Sequence, residues 1–166
     1  MAVTTSAWFA TVTALLALFN GDSTLAANNV RVLDGPFLLD ASSPNTLIVG
    51  GSSDPSLNEG PQGVPAGDFA QKWGEVGARA RYEQTTVHCE LIVRAGTTTL
   101  ATTRATAQTL LAQIESLLRT SFQLSVGSLM WAEVLSGEIR QIQAQTGGSA
   151  VLVTFVIAAR ARLASQ

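Results

Sequence analysis

"SAVLVTFVIAARARL", Ser149 to Leu163, decides the fold class of this chain. Successive side chains of a strand point to opposite faces. Val151, Val153, Phe155, Ile157, Ala159, Ala161 and Leu163 then form one unbroken apolar row, which requires a core beneath it. The second row reads Leu152, Thr154, Val156, Ala158, Arg160 and Arg162, apolar for most of its length and cationic at its end. Something must cover it, and two candidates present themselves: a helix of the same chain, or a second copy of the chain.

Outward from this strand the pattern continues. From Arg79 to Ala95 the spacing predicts a long half-buried strand, with Thr85, Val87, Cys89, Leu91, Val93 and Ala95 on one face and His88, Glu90, Ile92 and Arg94 on the other. Between the two strands, Thr98 to Thr120 reads as the main helix. Ala107, Leu110, Leu111, Ile114, Leu117 and Leu118 make its apolar stripe, the threonines at 97 to 99 are positioned to cap it, and Glu115 and Arg119 stand one turn apart. "SLMWAEVL", "SGE" and "IRQIQAQ" read as a hairpin or a bulged pair, with Gln141, Gln143 and Gln145 sharing a face with Ile139, and "TGG" turns the chain into the terminal strand.

Near the amino terminus, Trp8, Val12, Leu15, Leu16 and Phe19 recur at helical steps, with Thr4, Thr5 or Ser6 as caps and Asn20-Gly21 as a stop. "AWFATVTALLALF" also has the look of a signal-peptide core, but no Lys or Arg precedes it, and it is short of the about 20 apolar residues that span a bilayer. "NVRVLDGPFLLD" suggests two short strands meeting at Asp34-Gly35-Pro36, and "NTLIVGG" is a further strand closed by glycines. Residues 51–67 carry three prolines and four glycines without periodicity, a long loop suited to reach a neighbour. The expected architecture is α+β: a mixed, mostly antiparallel sheet of at least four strands, one long helix packed on it, and an N-terminal helix, all in a single domain spanning residues 1–166.

Composition narrows the function. The chain has 166 residues, 46% hydrophobic and 13% charged, with a formal charge of −2, so it lacks the basic balance that nucleic-acid-binding domains show. Residues 1–70 carry a net of −5 and residues 71–166 a net of +3, a charge asymmetry along the chain. The one cysteine forms no internal disulfide, and one cysteine with one histidine cannot build a structural zinc site. His88 and Cys89 fall on opposite faces of a strand and cannot act as a nucleophile and base pair within one subunit. "LIVGGSSD" lacks the spacing of a phosphate-binding loop. The residues therefore point to no catalytic, cofactor or metal site, and to a domain with more apolar surface than one sheet and one helix can hide.

The order of these features resembles the tail terminator proteins of long-tailed bacteriophages, those infecting actinobacteria above all, also called tail-completion or minor tail proteins. An opening helix, "VRVLDGPFLLD", "NTLIVGG", "QKWGEVGARARYEQTTVHCELIVRAG", the long helix and "SLMWAEVLSGEIRQIQAQTGGSAVLVTFVIAARARL" carry the resemblance, over residues 5–163. It implies a virion protein, assembled in the host cytoplasm, that forms a homo-hexameric ring on the tail tube protein, stops tube polymerisation and meets the connector or neck proteins of the head. Genomic DNA would pass through the lumen without specific binding, and no membrane or cofactor is implied. The exposed pattern singles out Asp54, Glu59 and Asp68 of the loop, Arg79, Arg81, Arg160 and Arg162, and Val156 as candidate subunit or tube contacts. A neck or head-completion connector is the nearest alternative, and a secreted binding domain with a signal peptide is the alternative from a different class.

Overall fold

Two strands of equal length carry the molecule. In the computed structural model, which describes residues 6–36, 45–53, 65–73, 80–96, 99–124, 126–143 and 148–164, β4 (Ala80–Ala95) and β6 (Ser149–Ala164) pair antiparallel without a register break from Ala80↔Ala164 to Ala95↔Ser149. Around them lie β1 (Val30–Asp34), β2 (Asn45–Val49), β3 (Gly67–Trp73) and β5 (Leu129–Gln143). Among the described residues these form one sheet in the order β1-β2-β4-β6-β5, with β3 pairing β4 on the same side as β2. β2 takes the Cys89–Val93 half of β4 and β3 the Arg81–Val87 half, so the two lie end to end. Every pairing is antiparallel except β1 with β2.

Among the described residues three helices accompany the sheet: α1 (Trp8–Asn20), α2 (Ser23–Ala27) and α3 (Leu100–Thr120). Leu110, Ile114 and Leu118 of α3 are fully buried against the odd-numbered rows of β4 and β6, and Leu15 and Phe19 of α1 join the same core as Leu47, Val49 and Val87. Each such side chain contributes about 1.5–3 kcal/mol by leaving water. The amino-terminal helix thus packs on the face that α3 covers and not on the even-numbered row of β6. Of the two candidate covers for that row, the amino-terminal helix is overturned.

Side-chain hydrogen bonds fix where the helices begin. Thr99 caps α3, its hydroxyl accepting the Thr102 N–H at 3.4 Å, and the hydroxyls of Thr103 and Ser149 lie 2.5 Å apart, joining the first turn of α3 to the start of β6. Asp22 caps α2 through the Leu25 N–H at 2.8 Å and accepts from Gln113 of α3 at 3.1 Å. The first turn of α1 is held from a distance. Glu83, fully buried on β4, accepts from the Ala7 N–H at 2.7 Å and the Ser6 hydroxyl at 2.8 Å, while Gln71 of β3 donates to its other oxygen. Opposite Glu83 on β6 stands Ala161, small enough to leave room for the carboxylate.

Four expectations change. "SGE" is no turn: β5 is one strand, bulged between Leu129 and Trp131 and between Val134 and Ser136. Ser-Gly reads as punctuation in a sequence, but Gly137 lies opposite Phe155, where a Cβ would fall 3.3 Å from the Phe155 Cβ and 3.0 Å from the Thr154 carbonyl. β3 emerges inside what reads as the end of a loop. β1 pairs in parallel with β2, and the second half of the expected hairpin, residues 37–40, lies outside the described residues, as do Thr4, Thr5 and Gln145. Glu115 and Arg119 form no ion pair, whereas Arg140 pairs with Glu138 at 2.9 Å.

Candidate interaction surface

The face that carries neither α1 nor α3 is built from the even-numbered residues of β4 and β6 and their neighbours on β5. Toward β2 it is closed, with Thr46, Ile48 and Ile92 buried. Toward β5 it opens into a trough of about 540 Å³, with Thr154 and Val156 on its floor, His88 and Glu90 along one side, and Ser136 and Glu138 along the other. Val156, half-buried, pairs with His88 on one side and Ser136 on the other. No helix covers it.

Glu90 organises the wall of this trough. It is only 2% exposed, and a buried carboxylate must be paired or richly hydrogen-bonded. Ser52 donates its hydroxyl at 2.7 Å, the Ser53 N–H approaches at 3.2 and 3.3 Å, and the Ser53 hydroxyl donates as well. The chain reaches Glu90 because Gly50 and Gly51 turn it out of the sheet: both N–H groups donate to the His88 carbonyl, at 2.8 and 3.3 Å. Gly51 lies so close to the preceding turn that a Cβ would fall 2.5 Å from the Gly35 carbonyl carbon and the Pro36 nitrogen. These amides are consumed within the fold, which explains "VGG" without a bound phosphate.

Farther along the strands the same face turns cationic. Arg160 and Arg162 are exposed there, the Arg160 guanidinium stacks 5.0 Å from the Tyr82 ring centroid, and Lys72 and Trp131 stand beside them. Asp68 is exposed on β3. Arg81, expected to be exposed, is half-buried on the opposite, helix-bearing face: it donates to Gln71 at 2.9 Å and lies 5.4 Å from the Trp73 ring centroid. Its row is that of Glu83, whose network holds it in. Asp54, Glu59 and Arg79 lie outside the described residues. The structure thus gathers Val156, Arg160 and Arg162 on one face, with Asp68 at its flank.

Two features escaped the sequence reading. Both outer strands expose large apolar side chains: Phe69 and Trp73 on β3, 59% and 70% exposed, and Leu135, Ile139 and Ile142 on β5, 59%, 59% and 60% exposed. On the helix-bearing side, Phe9 rims an apolar groove of about 580 Å³ between α1 and the Ser121–Val126 turn. The signal was present as apolar residues that fit no buried row.

For covalent or acid–base chemistry the arrangement offers little. Cys89 is buried on the helix-bearing face, and burial pushes its thiol from the ordinary 9.0 up to about 12. A thiol so far from ionisation is inert at neutral pH. Among the described residues no three His, Cys, Asp or Glu side chains come together as metal ligands.

No protein-family model matches the chain, and no curated protein matches it. Among solved structures, its fold is similar to that of a chain in the virion of a native gene transfer agent (GTA) particle, with a TM-score of 0.54, 18% sequence identity, and 91% of this chain and 93% of that chain covered.

Proposed function

We propose that this chain is a structural, non-enzymatic virion subunit, a single tail-terminator-like domain that closes into a ring on the end of a tail tube. The ring stops tube polymerisation and offers the opposite surface to the connector or neck of the head. The observation that carries the reading is the fold shared with a gene transfer agent virion chain over nearly the full length of both. The helix-free face and apolar strand edges support it, because a subunit that acts alone has no use for them. Six copies follow from the resemblance to tail terminators, as does passage of DNA through the lumen.

A neck or head-completion connector is the second reading, since it needs the same kind of ring-forming subunit. The secreted reading requires residues up to about 27 to be removed, and α1 supplies Val12, Leu15 and Phe19 to the core. That packing favours the virion readings.

The test is the mass of the purified protein in solution together with negative-stain images, alone and mixed with tail tube protein. Closed rings, or single caps at tube ends, are expected. A monomer that leaves tubes uncapped and still growing overturns the terminator reading, and binding to a head portal but not to tubes moves it to the neck.

A further inference from the structure

β5 and β3 are the outer strands on opposite sides of β4 and β6, and among the described residues neither has a second partner. Exposed edges are normally blunted with Lys, Pro, short length or bulges, because free N–H and C=O groups invite another strand. β5 is bulged only in its first half. From Ser136 to Gln143 its ladder to β6 is regular, it holds neither Pro nor Lys, and every residue is exposed. β1 flanks β2, at the other half of β4, and leaves the outer side of β3 open.

We infer that, in the ring proposed above, successive copies join by continuing the sheet, the outer edge of β5 in one copy pairing antiparallel with the outer edge of β3 in the next. Direction, pleat and side chains agree on this occupant. β5, β6, β4 and β3 are antiparallel at each step, so β5 runs opposite to β3, and a copy added by rotation about the strand direction presents β3 antiparallel to β5. Phe69 and Trp73 lie on the helix-bearing side of β3, in register with Thr85 and Arg81, and Ile139 lies on that same side of β5, opposite Val153. Setting Phe69 opposite Ile139 brings Trp73 to the bulge that holds the exposed Leu135. It also puts Asp68 opposite Arg140 and Lys72 diagonal to Glu138 on the other side, opposite charges at both places. Shifting by two residues in either direction places Phe69 against Gly137 or Gln141 and loses its apolar partner.

The two surfaces do not overlap, so the contact is heterologous, as a ring requires. Pairing β5 with itself across a twofold axis would leave Phe69 and Trp73 in water and would stop at a dimer. The inference rests on the ring reading for its biological setting, but it is tested separately.

Full-length chains carrying Phe69→Cys and Ile139→Cys are purified apart, then oxidised singly and mixed, with a short thiol-reactive cross-linker in parallel. Native Cys89 is buried and stays silent. The mixture is expected to yield covalent dimers that neither variant forms alone, and the doubly substituted chain a ladder that ends at the mass of the ring. Ile139→Lys, on a side chain already in water, is expected to abolish assembly while melting within a few degrees of wild type. Dimers from Ile139→Cys alone indicate β5 with β5 and overturn the inference. Wild-type rings on tubes without cross-linking in the mixture overturn it and leave the ring reading standing. Cross-linking without any capping of tubes sustains the edge contact and removes the terminator reading, and a wild type that shows neither removes both.

Discussion

Glu83, in the middle of the sheet, holds the N-cap of α1 from seventy-six residues away: its Oε1 lies 2.7 Å from the Ala7 nitrogen. A carboxylate at a helix N-terminus satisfies free amides and meets the positive end of the helix dipole. Glu83→Ala leaves the Ala7 N–H, the Ser6 hydroxyl and the Gln71 amide without their acceptor. A loss of about 2–4 kcal/mol is expected from the orphaned donors, read as a lower midpoint in urea, with Glu83→Gln intermediate. Equal midpoints for all three proteins would show that α1 docks without this contact.

Val156 and Ile157 are adjacent on β6 and face opposite ways, one half-buried on the helix-free face and one fully buried under α3. Val156→Asp is expected to fold, with a melting temperature lowered by a few degrees, and to lose assembly. Ile157→Asp buries an unpaired charge and is expected not to fold. Circular dichroism melts of the two purified proteins check this, and a Val156→Asp chain that fails to fold would mean that the helix-free face is part of the folding core.

Gly67 opens β3 at φ +155°, and a Cβ there would fall 1.9 Å from the Thr86 carbonyl oxygen and 2.7 Å from the Trp8 indole nitrogen. Neither atom has room to retreat, because that indole N–H donates to the same carbonyl at 3.0 Å. Gly67→Ala is expected to detach β3 from β4 and to cost more than about 2 kcal/mol, the range for a special backbone position. The thermal midpoint reads the cost, and hydrogen exchange over residues 67–73 locates it.

Cys89 sets an alkaline limit. Its thiol ionises near 9.0 when the chain is unfolded and near 12 when folded. Its contribution is fully present below pH 9.0 and is lost as pH rises toward 12, because the unfolded state alone releases the proton. The slope is about 1.4 kcal/mol per pH unit in that window. Urea titrations at several pH values should show this extra slope in wild type and its loss in Cys89→Ala, which is less stable below pH 9.0 but flatter above it. Native protein should also resist thiol reagents that label it at once in urea.

The elements that stand out in the sequence are those with one wet face and one dry face. β4, β6 and α3 repeat apolar residues at the period of their own geometry, so their faces and even the opposed directions of His88 and Cys89 follow from spacing. β3 gives no such signal because it is a short edge whose Phe69 and Trp73 are as exposed as Asp68 and Lys72. β5 loses its period at two bulges, where two residues stand against one and the alternation slips. The face chosen by α1 was not legible, since Glu83 and Ala7 meet from seventy-six residues apart in the chain. For the candidate surface, Val156, Arg160 and Arg162 follow from alternation along one strand, whereas Arg81 shares its row with a buried carboxylate that no local pattern announces.

One residue closes the long excursion between β2 and β3. The His88 carbonyl accepts from Gly50 and Gly51 where the chain leaves the sheet, and the His88 N–H donates to the Ala66 carbonyl at 3.0 Å where it returns. Exit and entry therefore share a single residue of β4. The closure entropy of such an excursion grows only logarithmically with its length, about 0.6 kcal/mol per doubling. β2 and β3 are indexed to the same residue of β4, so the register of each fixes that of the other across the gap between them.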